Sequence, residues 1–197
     1  FVEVKPSHIL RLRKADMILK IGMEMDPWMD ALAEQAGNRR ILKGHPGHVD
    51  ASRGIQALEV PAVLDRAQGD VHPYGNPHYW LDPANGKGIA ETVCEALCAI
   101  DPDGSGIYRK NLETFQKTLD GKLRAWEKRL APCRGCCLIT YHRSWSYFTS
   151  RFGLKVPIEL EPKPGLPPSA AHLENVVRTA KASCARSHTI SGFGRLF

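Results

Sequence analysis

Ser105-Gly-Ile-Tyr-Arg-Lys-Asn-Leu-Glu-Thr-Phe-Gln-Lys-Thr-Leu-Asp-Gly-Lys-Leu-Arg-Ala-Trp-Glu-Lys-Arg-Leu130 sets the architecture. Its apolar residues Tyr108, Leu112, Phe115, Leu119, Leu123, Trp126 and Leu130 recur every three or four positions, the period of one helix face. The stripe predicts a single amphipathic helix that faces a core along its length. At ~1.5 Å per residue it would run roughly 40 Å, longer than a small lobe needs. Gly121 is the natural place for a bend. Periodicity leaves two readings open, a bundle helix and a spine between two lobes.

Both flanks of this helix read as alternating strand and helix, which argues for α/β layering. Upstream, residues 6–14 predict a short helix, and 15–22 (A-D-M-I-L-K-I-G) predict a buried strand ended by glycine. Asp26-Pro27 then opens a helix to Gln35, with Asp as cap and Pro in the first turn. Residues 39–43 are a candidate second strand, and 44–75 form a Gly-, Pro- and His-rich connection. Downstream, 136–141 and 154–159 read as strands around a helix over 144–152. A four-proline connection over 161–168 leads to a helix from Ser169 to about Lys181.

Asn76-Pro77-His78-Tyr79-Trp80-Leu81-Asp82-Pro83 lies just before a helix predicted over 84–99, with Asp82 as its cap. Pro77 makes Asn76 extended and fixes its own φ, so His78 sits on a stiff junction. A neutral imidazole held this way suits Zn²⁺, although a His beside aromatics is also a common packed residue. His142 follows the predicted strand 136–141 directly, at the end where open parallel sheets bind ligands.

The 197 residues are 43% hydrophobic, enough for one large or two small domains. The net charge of +6 could suggest nucleic acid, but the basic residues are interleaved with acids and no nucleic-acid module is present. No apolar run is long enough for a membrane span. The chain opens mid-pattern at Phe1-Val2-Glu3, without a signal peptide, and reads as a fragment. Of the six cysteines, Cys94 and Cys98 share a helix face and are poorly placed to bridge. Cys133-Arg-Gly-Cys136-Cys137 is half of a zinc-knuckle pattern without its partner, and reads as small hydrophobes with one local disulfide.

Residues 69–83, G-D-V-H-P-Y-G-N-P-H-Y-W-L-D-P, resemble the metal-ligand segment of metal-specific solute-binding proteins of bacterial ABC importers. Residues 140–148 (T-Y-H-R-S-W-S-Y-F) with Arg151-Phe-Gly-Leu154 resemble that family's second ligand segment. Glu161-Pro-Lys-Pro-Gly165 with Pro168-Ser-Ala170 resembles its lobe-two connection. Pro6-Ser7, Ala15-Asp16, Gly22-Met-Glu24 and Trp28-Met29 resemble its opening. The resemblance covers residues 1–182.

It implies two Rossmann-like α/β lobes of parallel sheet joined by one long spine helix, the second lobe incomplete. The divisions are an N-terminal lobe over 1–102, a spine over 103–131 and a partial C-terminal lobe over 132–197. It implies metal held between the lobes, with His78 and His142 as ligands and His72 as an auxiliary candidate. Relatives that take manganese carry glutamate at the position of His142, so histidine favours Zn(II) over Mn(II).

The family's first ligand precedes the segment resembling 1–7, and its last, an acidic residue, comes from a later strand. The chain is therefore expected to lack both and to bind metal weakly, and from Ser183 onward it matches nothing in the family. His45 and His48 read as solvated loop histidines, and His8, His172 and His188 as surface residues. The implied role is extracytoplasmic zinc capture for an ABC permease, periplasmic or anchored outside the cell. The chain would act as a monomer, with no nucleic-acid partner and no bond made or broken. Two other classes stay open. A zinc hydrolase would need a general base near His142, where Glu159 and Glu161 are the nearby carboxylates. An adhesin-like surface protein is untested by these residues.

Overall fold

A computed structural model describes residues 4–62, 72–163 and 165–184. Their order is α1 (Pro6–Leu12), β1 (Ile18–Lys20), α2 (Trp28–Ala36), β2 (His48–Asp50), α3 (Gly86–Ile100), α4 (Ser105–Leu130), α5 (Ser146–Phe152) and α6 (Ala170–Cys184). The fold is α/β, rich in helix, with a small parallel sheet. The chain divides into two compact units, Phe1–Ala57 with Ala84–Gly121, and Leu58–Pro83 with Lys122–Phe197. The boundary falls inside α4, which is a continuous helix of 26 residues.

In the first unit β1 and β2 pair in parallel, with Ile18 opposite His48, Leu19 opposite Val49 and Lys20 opposite Asp50. The strand alternation turns Ile18 and Lys20 inward and leaves Leu19 exposed. Ile18 joins Ala33 and Ile41 in the core, with Leu12, Ala15, Met29 and Leu42 packed around them. An inward lysine needs a counter-charge. Lys20 Nζ lies 2.5 Å from Asp30 Oδ2, and His48 Nε2 lies 2.7 Å from Asp30 Oδ1. Burial works against the Asp30 charge, but the hydrogen bonds from Lys20 and His48 outweigh it and hold its carboxyl below the ordinary value. His48 is thus a strand residue with a partner, not the solvated loop histidine its surroundings in sequence suggest.

Two further local expectations change here. Residues 39–41 form a 3₁₀ turn instead of a strand. The Asn38 side chain accepts from Arg40 N at 3.2 Å and donates to the Leu12 and Ala15 carbonyls at 2.9 and 2.7 Å, a local arrangement that competes with a ladder. Asp26 does not serve α2 as expected, because its carboxylate accepts from the Ile21 and Gly22 amides at 2.7 and 3.1 Å. Helix α3 starts at Gly86, after a 3₁₀ turn at Pro83–Asn85. A Cβ at Gly86 would come 3.3 Å from Leu119, so the missing side chain lets α4 lie close. Contact along the α4 stripe is concentrated mid-helix. Leu119 and Leu123 are buried, while Phe115 and Trp126 stay 46% and 38% exposed.

In the second unit the expected strands over 136–141 and 154–159 are short parallel contacts, with bridges Cys137–Lys155 and Thr140–Glu159. Main-chain hydrogen bonds still run along the pair, from Gly135 N to Gly153 O (2.7 Å) through to Glu161 N to Tyr141 O (2.8 Å). Helix α5 is the crossover between them and ends at Gly153, whose φ of 69° supplies the left-handed cap. Ser169 caps α6 as expected, its hydroxyl accepting from His172 N at 3.2 Å. The disulfide joins Cys137 to Cys184, 47 residues away, and is not the local bridge expected among Cys133, Cys136 and Cys137. Residues 185–197, with His188 and most of the tail expected to depart from the family pattern, lie outside the described residues.

Candidate metal centre

His78 is pinned by its neighbours. Pro77 and Tyr79 on either side of it are almost fully buried, and His78 itself opens a 3₁₀ turn over Tyr79–Leu81. Arg151 of α5 clamps the following Asp82 with two hydrogen bonds of 2.8 and 2.9 Å. The imidazole is left half-buried beside Trp80, with ring centroids 5.4 Å apart.

His142 reaches the same place from the other end of the unit's sequence. The parallel pairing of 135–141 with 153–161 sets Glu161 beside Tyr141, and the next residue along is His142. Its ring stands edge-on to that of His78, with centroids 5.3 Å apart and planes at 69°. The two histidines singled out by sequence are therefore adjacent in the second unit.

The proton position on each ring follows from its partner. Asn76 Nδ2 donates to Glu59 Oε2 (2.9 Å) and to the Arg143 carbonyl (2.8 Å), both of which can only accept. The amide is therefore oriented with Oδ1 toward His78, where it accepts from the main-chain N (3.0 Å) and from Nδ1 (2.9 Å). His78 must carry its proton on Nδ1, leaving the Nε2 lone pair free. His142 Nδ1 lies 2.5 Å from Glu161 Oε2, and Glu161 Oε1 accepts from Gly165 N at 2.9 Å. A carboxylate in that position also selects the Nδ1–H form of His142. This is how metal-ligating histidines are commonly oriented, with the second nitrogen donated to an acceptor.

Electrostatics favour a neutral His78 ring. Burial, then the nearby His142 and His72, lower the His78 pKa to about 4, with Glu59 opposing. The hydrogen bond from His142 holds the Glu161 carboxyl below its ordinary range against some burial. His72 is thus close enough to act on His78, although its contact shown here is through its carbonyl, which accepts from Gly75 N at 3.1 Å. Among the described residues no group of three or more His, Cys, Asp or Glu side chains is poised around one metal position.

The other histidines are accounted for locally. His8 Nδ1 accepts from Lys5 N at 3.2 Å. His172 is a half-buried residue bonded to the Glu159 carbonyl at 3.0 Å, not a free surface side chain. The free thiols of Cys133 and Cys136 are left without Cys137, which closes off the knuckle reading. Sequence reasoning did not single out Glu59 or Asn76. Asn two residues before His is the signal for Asn76, since its side chain readily reaches a backbone N–H two positions on. Glu59 carries no such signal.

The family model described as "Zinc-uptake complex component A periplasmic" matches residues 1–187. The high-affinity zinc uptake system protein ZnuA of Brucella abortus (strain 2308) is 31% identical over 113 residues, covering 56% of this chain and 34% of that protein. The iron-binding protein YfeA of Yersinia pestis is 28% identical over 183 residues, covering 89% of this chain and 54% of that protein. The crystal structure of ZnuA superimposes with a TM-score of 0.75 at 30% identity, over 92% of this chain and 64% of that one. The chain thus spans between a third and two-thirds of the length of these relatives.

Proposed function

This chain belongs to the zinc-uptake complex component A periplasmic family, and on that premise we propose that it captures a divalent transition metal outside the cytoplasm for an ABC importer. Zn(II) is the first choice of cargo and Mn(II) the second, because the donors are imidazoles and not carboxylates. His78 and His142 hold the metal through Nε2. The observation that carries the reading is their adjacency, 5.3 Å between ring centroids, with both Nδ1 atoms occupied by acceptors.

Capture by these groups breaks no bond; the metal exchanges water for imidazole. Two nitrogens supply half of a four-coordinate zinc shell, and His72 is the auxiliary candidate. Delivery to the membrane permease and a monomeric, periplasmic working form belong to the same proposal. So does the division into lobes at 1–102 and 132–197 about a spine at 103–131. Calorimetry of the chain with Zn²⁺ in a non-chelating buffer tests it. Saturable one-site binding, lost in His78→Ala and in His142→Ala and weaker for Mn²⁺, is the expected result. Zinc binding unchanged in both variants would reject it.

A further inference from the structure

Glu59 has a φ of 56°, a left-handed conformation that disfavours a residue with a side chain. Such strain persists where the surroundings over-determine the backbone. Here they do. Asn76 N donates to the Leu58 carbonyl at 2.8 Å. The Tyr147 hydroxyl accepts from Leu58 N at 3.0 Å and donates to the Asn76 carbonyl at 2.8 Å. Residues 58 and 76 are thereby stitched together on both sides.

The strained residue sends its carboxylate back into the same knot. Oε2 accepts from Asn76 Nδ2, and Oε1 accepts from Ser146 Oγ at 2.9 Å and from Arg143 Nε at 3.2 Å. Asn76 is 7% exposed, so its amide has little water to turn to. If the amide turned over, its oxygen would face the Glu59 carboxylate and its NH₂ would face the His78 N–H. Both contacts would then repel. The flip would also ask Nδ1 of His78 to accept, moving the ring proton to Nε2 and removing the lone pair a metal needs.

We infer that Glu59 is a positioning residue for the metal site: its carboxylate locks the Asn76 amide, which fixes the His78 proton on Nδ1 and keeps Nε2 open to metal. The inference rests on the reading of His78 as a ligand. Without the carboxylate, the Asn76 amide retains the Arg143 carbonyl and Ser146 Oγ as neighbours, and the hydroxyl can donate as readily as accept. The reversed amide is then opposed only by the neutral Arg143 carbonyl and the His78 main-chain N–H, so the charge of Glu59 is the strongest of the groups that disfavour it.

The test is the tautomer of His78, read by ¹⁵N–¹H correlation of the imidazoles in the metal-free chain at mildly alkaline pH. His78→Ala assigns the resonance. Wild type should show the Nδ1–H form. Glu59→Ala should populate the Nε2–H form and weaken zinc binding about 10- to 100-fold, the range typical of lost outer-shell partners. His142, held by Glu161, should keep its signature and serves as the internal control. Glu59→Gly repeats the experiment with the left-handed backbone relieved, so it should fold even where the alanine variant does not. Unchanged His78 signals in both variants would overturn the inference. So would weakened zinc binding with the tautomer intact, since a merely structural loss would produce that. A wild-type chain that fails to bind zinc would reject the capture reading, and the tautomer result would still decide the role of Glu59.

Discussion

Asn76 Oδ1 accepts hydrogen bonds from both the main-chain N–H and the ring Nδ1–H of His78, at 3.0 and 2.9 Å. One buried atom therefore fixes the backbone and the ring of a candidate ligand together. Asn76→Ala removes both bonds and also leaves the Glu59 carboxylate and the Arg143 carbonyl without their shared donor. Zinc affinity by calorimetry should fall about 10- to 100-fold. Thermal unfolding of the metal-free chain should show a loss of about 1–3 kcal/mol. Unchanged zinc affinity in a folded Asn76→Ala chain would mean that the amide does not prepare the ligand.

Tyr147 is buried on α5, and its hydroxyl is the only side-chain group shown bridging the Leu58 amide to the Asn76 carbonyl among the described residues. Burial pushes the phenol pKa up, with the Leu58 N–H opposing, so the hydroxyl stays protonated and able to donate at neutral pH. Tyr147→Phe keeps the ring packing and strips the bridge, leaving two backbone groups unpaired. The expected cost is about 1–3 kcal/mol, visible as a lower urea midpoint with little change in slope. A midpoint equal to wild type would show that water replaces the hydroxyl at no cost.

The α4 helix was legible in sequence to its ends, because its apolar spacing is long and regular. The short helices α1, α2, α5 and α6 were placed to within a few residues by Pro, Ser and Gly signals. The second strand was not. Residues 39–43 and 48–50 are both short, and the choice between them was made by Asn38, whose side chain wins the backbone of Arg40. At the site, His78 and His142 were legible as residue types in stiff or strand-end contexts. Their partners were hidden because the contacts join positions far apart in sequence. Glu59 meets Asn76 across 17 positions, and Glu161 meets His142 across 19. The second pairing exists only once the 135–141 and 153–161 segments lie side by side, and the first only once Leu58 and Asn76 are joined.

The Cys137–Cys184 bridge closes a loop of 47 residues within the second unit, tying the end of α6 to the first extended segment. Cross-linking at that separation stabilises mainly by restricting the unfolded chain, by about 2–4 kcal/mol. Reduction should lower the unfolding midpoint by a corresponding amount, and Cys184→Ser should behave as the reduced wild type. The variant should itself be indifferent to reductant. Equal stability of oxidised and reduced chains would argue that the two thiols are not joined in solution.

Acid provides the last check, and its sign is set by His78. Burial first, then the neighbouring His142 and His72, bring its folded pKa to about 4, against about 6.5 for a free imidazole. Between those values the unfolded chain takes up a proton that the folded chain refuses, so unfolding is favoured as pH falls. The contribution of His78 to stability is complete above about 6.5 and is lost progressively down to about 4. Below that the two states carry the same charge at this position. His78→Gln cannot take up that proton. Urea unfolding in the presence of a chelator, followed from pH 7 to pH 4, should therefore show wild type losing stability faster than His78→Gln, with the gap growing steadily between the two pKa values. The same shift bears on capture, because a ring that stays neutral to about pH 4 keeps its lone pair well below the point at which an ordinary histidine gives it up. Parallel curves for the two chains would show that His78 titrates as an exposed histidine, and the packed, proton-refusing ring would have to be abandoned.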